Sequence, residues 1–201
     1  RPIHTIDGEH ELNEVWFENV RVPVENRIGE ENKGWTYAKY LLSHERTDIA
    51  RVGRAQAAMA QLKDAAQRVP GDDGRPLIQD QRFRDRLSWV ELQLKALEIT
   101  NLKLLSADST HSASGPEASV LKIAGSEVHQ SISELAMRVL GPYAARDARR
   151  PLGEASAGAR APWPNTLDVK FSPTYFNMRK TTIYGGSSEI QKNIIAKTIG
   201  L

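Results

Sequence analysis

The sequence contains no cysteine, which removes disulfides, thiolate metal sites and cysteine nucleophiles together. It has no apolar run near the about eighteen residues that a membrane-spanning helix needs. Nor does it open with the charged, apolar and small-residue succession of a secretory leader. Neither sign of charge dominates: 27 basic residues face 25 acidic ones, for a net +2, mixed along the chain. That balance argues against nucleic acid as the partner. The five histidines lack ligand spacing such as H-E-x-x-H, so no metal is expected. What remains is an ordinary globular composition, 40% hydrophobic and 26% charged, over 201 residues. It predicts a soluble, cytoplasmic protein with a properly buried core.

The first thirty residues read differently from the rest. HELNEVWFENVRVP carries Val15, Trp16, Phe17, Val20 and Val22 in rough alternation up to Pro23, which predicts one or two strands. Two strands alone are marginal in water, and the chain does not begin with Met. We therefore expect residues 1–30 to be the remnant of a larger β-domain and residues 31–201 to form a helical domain. From Gly34, the residues Ala38, Leu42, Ile49, Val52, Ala55, Met59, Leu62 and Ala66 fall at three- and four-residue steps. They predict one helix of roughly thirty residues. A loop at 69–76 (VPGDDGRP) precedes a second stripe: Phe83, Leu87, Val90, Leu94, Leu97 and Leu104. After the polar loop 106–115, Pro116 and Glu117 open a third helix. Its stripe is Leu121, Ala124, Val128, Ile132, Leu135 and Val139, stopped by Gly141 and Pro142.

Residues 144–170 contain RDARR and then Gly, Pro and Ala without a period, and read as a functional or partner-contacting loop. Ser172 and Pro173 predict a helix start that runs through Ile183, broken by Gly185 and Gly186. Ser188 with Gln191 fits a capping box for the last helix. Four main helices with short connections read as a helical bundle.

Two places carry chemistry. Glu45 falls on the first stripe between Leu42 and Ile49. A carboxylate buried there has the raised pKa of a general base. The same position also admits an ion pair inside the bundle, or a slightly rotated helix that brings Glu45 to solvent. YGGSSEIQ, 184–191, sets two glycines before a helix start, where unpaired amides suit an anion and glycine lets a ligand approach the backbone. The pattern also fits an ordinary helix–helix turn.

ELNEVWFENVRVP…NRIGEENKGW, then LLSHER, then IYGGSSEIQKNIIAKTIGL make the chain resemble the C-terminal half of a flavin-dependent acyl-CoA dehydrogenase, most similar to bacterial two-subunit members. The resemblance implies a mainly α fold: a C-terminal four-helix bundle preceded by one or two strands of a middle β-domain. It implies α,β-dehydrogenation of an acyl-CoA thioester, with the β-hydride passing to FAD. It also implies an electron-transfer flavoprotein as electron acceptor and a dimer or tetramer of like or unlike subunits. Many members keep the α-proton base in a Tyr-Glu-Gly-Thr turn, which here reads Tyr184-Gly185-Gly186-Ser187. Others place it in an E-R pair on the first bundle helix, here Glu45-Arg46. Glu45 is thereby the expected base. The Gly185 amide is the expected donor to the thioester carbonyl, and Arg46 and Gly186 are the expected substrate contacts.

For FAD the resemblance implies Gln81, Arg138, Gly141, Ser187 and Glu189. Two segments depart from the family pattern. VPGDDG stands where R-x-x-F-G is usual, with Arg68 out of register, and Arg138 to Pro142 stand where Q-x-x-G-G is usual. These departures admit a second expectation, a non-catalytic partner subunit of a heteromeric enzyme.

Overall fold

The computed structural model describes residues 1–44, 50–108, 116–145 and 168–201. Two short strands, β1 (Pro2–Ile3) and β2 (Leu12–Asn13), pair antiparallel with Ile3 opposite Leu12. Of the one or two strands expected in residues 10–23, β2 forms at Leu12–Asn13; none forms through Val15, Trp16, Phe17, Val20 and Val22, and all five side chains are exposed. Alternation can specify a strand only where a neighbouring strand receives its backbone groups, and none lies beside these residues among those described. The hairpin is instead tied to the helices. Asn177 donates to Asp7 and, at 3.0 Å, to Glu11, while Lys180 pairs with Glu11.

Among the described residues six α-helices follow: α1 (Gly34–His44), α2 (Val52–Arg68), α3 (Gln81–Asp108), α4 (Glu117–Leu140), α5 (Asp168–Met178) and α6 (Ser188–Thr198). The single long helix expected from Ala38 to Ala66 is therefore two. Arg51 sits at φ 48° and ψ 41°, a left-handed conformation that an α-helix cannot pass through. The stripe still reads correctly within α2, where Ala55, Met59, Leu62 and Ala66 are buried.

The loop 69–76 folds back on itself. Leu77 donates to the Val69 carbonyl at 2.8 Å and Gly71 to the Arg75 carbonyl at 2.7 Å, with Gly74 at φ 77°. Asp80 then caps α3, its carboxylate accepting from the Phe83 amide at 2.8 Å. All the predicted stripe residues of α3 from Phe83 to Leu97 are buried, and Leu104 packs partly against the same core. A second apolar stripe on α3, with Trp89, Leu92, Ile99 and Leu102, is exposed.

The central helix is α4, which packs against α2, α3, α5 and α6. It ends at Gly141, whose φ of 54° and ψ of −131° suit glycine. The buried core runs from Ala50 to Val139, with Leu62, Leu121 and Val139 fully enclosed. Gly125 is needed where α4 meets the start of α2: a Cβ there would lie 3.0 Å from the Ala50 carbonyl oxygen.

Residues 146–167 of the expected loop lie outside the described residues. Ala144 and Ala145 belong to a 3-10 turn, Gly141–Ala145. The helix expected to start at Ser172 and Pro173 starts at Asp168 and carries Pro173 inside it. Ser172 is buried and donates to the Ala144 carbonyl at 2.9 Å, so its hydroxyl serves a tertiary contact rather than a cap. A 3-10 turn, Arg179–Thr182, closes α5 ahead of the two glycines.

Candidate active-site cleft

The turn between α5 and α6 borders a cavity formed by described residues. Gly185 and Gly186 both have positive φ, 65° and 83°, so the turn needs glycine at each position. A Cβ at Gly186 would come within 2.4 Å of Gln191 Nε2, whereas one at Gly185 would meet open space. Gln191 is buried and donates to the Gly185 carbonyl at 3.2 Å. That bond turns the Gly185 carbonyl inward. Among the described residues, the Gly185 amide donates to no protein acceptor.

The helix cap falls one residue earlier than the sequence predicts. Ser187, not Ser188, is the N-cap of α6, with its hydroxyl accepting from the Ile190 amide at 3.4 Å. Gln191 is thus freed from a capping box and faces the turn. Glu189, in the first turn of α6, has its carboxyl held below the usual range by backbone amide bonding and the Ser187 hydroxyl, with Lys192 and Lys122 adding attraction.

A cleft of about 680 Å³ opens beside this turn, with Arg51 and the face of α2 at Arg54 and Ala58 on one side and the face of α4 from Ala118 to His129 on the other. Gly185 and Gly186 line it, and α5 and α6 complete the wall. The turn is anchored from α4 by buried and half-buried polar side chains. Lys122 Nζ donates to the Thr181 carbonyl at 2.8 Å, Ser126 Oγ lies 3.0 Å from the same oxygen, and Gln130 donates to the Met178 carbonyl at 3.1 Å. Burial pushes the Lys122 ammonium below its ordinary pKa, opposed by attraction to Glu189.

His129 borders the same cleft, and its Nε2 is buried without a partner among the described residues. Its imidazole is held below the ordinary value first by burial and then by repulsion from Arg51 and Arg54, against backbone bonding to Arg51 and Ala50. Arg51 also lies over the ring of Tyr184, 6.0 Å from its centre. None of Arg51, Arg54, Lys122 and His129 was singled out for a role by the sequence. For the two α4 residues a signal existed, since 118, 122, 125 and 129 share one helix face; for the arginines there was none.

The sequence-predicted residues separate into groups. Gly185, Gly186, Ser187 and Glu189 come together at the α6 start. Gln81 opens α3 and donates to Asp85 at 2.7 Å. Arg138 is exposed near the end of α4, 3.3 Å from Glu134, just before Gly141. From Lys122 to Arg138 is roughly 24 Å along the α4 axis, so this group lies at the far end of the bundle from the glycine turn. Glu45 and Arg46 lie outside the described residues. Arg68 pairs with Asp64 on its own helix. No cluster of His, Asp and Glu suited to a metal ion occurs among the described residues, and no helix among them is long and apolar enough to cross a membrane.

A central helix that props a double-glycine turn beside a cleft defines an α-helical bundle domain. Residues 32–200 match the family model described as "Acyl-CoA dehydrogenase, C-terminal domain", and the chain belongs to that family. Acyl-CoA dehydrogenase FadE26 of Mycobacterium tuberculosis is 29% identical over 96% of this chain and 46% of its own length. Acyl-CoA dehydrogenase IpdE1 of the same organism is 29% identical over 99% of this chain and 46% of its own. A chain of the crystal structure of the ChsE4-ChsE5 complex from Mycobacterium tuberculosis superposes with a TM-score of 0.76 and 28% identity, covering 100% of this chain and 49% of that one. The chain thus spans about half the length of the relatives it matches.

Proposed function

We propose that this chain is the C-terminal half of an FAD-dependent acyl-CoA dehydrogenase, with residues 1–30 closing the middle β-domain and 31–201 forming the bundle. The observation that carries the reading is the Gly185–Gly186 turn: an amide with no protein acceptor among the described residues, at the rim of a cleft large enough for a ligand. In this reading the Gly185 N–H donates to the thioester carbonyl, on whose oxygen charge accumulates as the α-proton leaves. Glu45 takes that proton, because Gly185 has no side chain to do so. Arg46 and Gly186 border the thioester. The dehydrogenase names of the relatives favour catalysis over a purely structural subunit.

The residues at the α6 start fit a flavin dinucleotide. The Ser187 hydroxyl accepts from Ile190 and donates to the exposed, ionised Glu189, whose remaining carboxylate lone pairs can accept from hydroxyl or amine groups. FAD, when bound, supplies the two-electron acceptor for the β-hydride. Gln81, Arg138 and Gly141, at the opposite end of α4, would hold the dinucleotide of a neighbouring subunit. The exposed stripe of Trp89, Leu92 and Ile99 supports such an oligomer, since apolar helix faces of this kind mark interfaces. A relative named as subunit CarC of the caffeyl-CoA reductase-Etf complex of Acetobacterium woodii, 26% identical over 92% of this chain, supports an electron-transfer flavoprotein as the electron acceptor.

The test is anaerobic addition of an acyl-CoA panel to the flavin-loaded full-length protein. The oxidised flavin band should bleach, and Glu45→Gln should slow bleaching by about 10²–10⁴-fold. Undiminished bleaching in that variant removes Glu45 from the base role.

A further inference from the structure

The cleft has a wall that the chemistry above leaves unused. Arg51, just before α2, Arg54 of α2, and Lys122 and His129 of α4 border it, and no acidic side chain is among its described lining residues. Lys122 is committed to the Thr181 carbonyl, and Arg51 lies against the Tyr184 ring. Arg54 makes no ion pair with a carboxylate among the described residues. It sits one turn from Arg51, whose guanidinium lies over Tyr184, beside the glycine turn, and whose backbone bonds to the His129 imidazole. His129 lies roughly 10 Å along α4 from Lys122.

A plain alkyl chain entering this space would strip water from the exposed Arg54 guanidinium and return no polar partner to it, which is unfavourable. A chain that ends in a carboxylate repairs the loss, because the guanidinium fork binds a carboxylate through two parallel N–H bonds. The apolar lining from alanine, methionine and isoleucine side chains suits the methylene stretch between the two ends.

We propose that the cleft selects acyl-CoA thioesters whose acyl chain carries a carboxylate remote from the thioester, with Arg54 as the specificity-determining residue. The inference rests on the dehydrogenase reading and names the substrate class for it. The experiment compares kcat/KM of the flavin-loaded full-length enzyme on an α,ω-dicarboxylic acyl-CoA and on the unsubstituted acyl-CoA of equal chain length. The wild type should favour the dicarboxylic thioester. Arg54→Met should lower that value about tenfold or more, as loss of a charge-assisted bond does, and leave the unsubstituted thioester within about twofold. Arg54→Lys should restore part of the preference.

Arg54 is exposed, so its replacement leaves the core intact. An equal loss on both thioesters would assign Arg54 to the phosphates of the coenzyme and overturn the proposal. So would no change on either, or a wild type that favours the unsubstituted chain. Flavin reduction by neither thioester in the wild type fails the dehydrogenase reading itself, and the inference falls with it.

Discussion

Lys122 Nζ donates to the carbonyl oxygen of Thr181 at 2.8 Å across 59 positions of sequence, and so fastens the middle of the bundle to the backbone just before the glycine turn. Ser126 Oγ lies 3.0 Å from the same oxygen and 2.8 Å from the Lys122 carbonyl, so its one hydrogen is shared between the two acceptors. The Thr181 carbonyl therefore has Lys122 as its main donor and Ser126 within reach as a second.

This redundancy sets the outcome of substitution. Lys122→Met and Ser126→Ala should each destabilise the full-length protein by about 1 kcal/mol or less, since one donor remains. The double variant orphans a buried carbonyl and should exceed the sum of the singles by about 1–3 kcal/mol. A double-mutant cycle by denaturant unfolding measures the difference, and strict additivity would show that the two donors do not share their acceptor.

The two glycines of the turn should differ in tolerance. Gly185→Ala meets open space and bears only the left-handed backbone penalty, about 1 kcal/mol. Gly186→Ala adds a clash with Gln191, which is buried and bonded to Gly185. It should lose more stability, about 2 kcal/mol or above, and thermal unfolding of the pair checks the order.

The cap register is open to the same kind of measurement. Ser187→Ala should cost about 1 kcal/mol by removing the acceptor for the Ile190 amide. Ser188→Ala should be nearly neutral. Equal effects, or the reverse order, would restore the capping box expected from Ser188 and Gln191.

His129 should make stability fall with acid. Its folded pKa lies below the ordinary value of 6.5, chiefly through burial, so the unfolded chain takes up a proton before the folded one does. Stability is full above about pH 6.5 and declines as pH drops from there toward the folded value. Tm followed from pH 7.5 to 5.0 should fall more steeply in the wild type than in His129→Gln. Parallel curves would show that this imidazole is not the titrating group.

Much of the architecture was legible in the residue pattern. The buried faces of α2, α3 and α4, the loop at 69–76, the stop at Gly141 and the pairing of two glycines with a helix start all follow from local periodicity and turn chemistry. The departures occur where distant backbone decides a local matter. Arg51 breaks a stripe that looked continuous, because alanine and valine at helical steps are equally compatible with two helices. Pro173 sits inside α5 because Ser172 is held by Ala144 and so is not a cap.

By itself, the sequence determined which helix faces are apolar and that a glycine turn precedes the last helix, since both depend on neighbours within a few residues. Only the tertiary structure decided that Lys122, Ser126 and Gln130 support that turn and that Arg51, Arg54 and His129 share its cleft. Such groupings depend on which helices cross and how closely, as at Gly125 against Ala50, and helical spacing carries no record of the partner a polar side chain will meet.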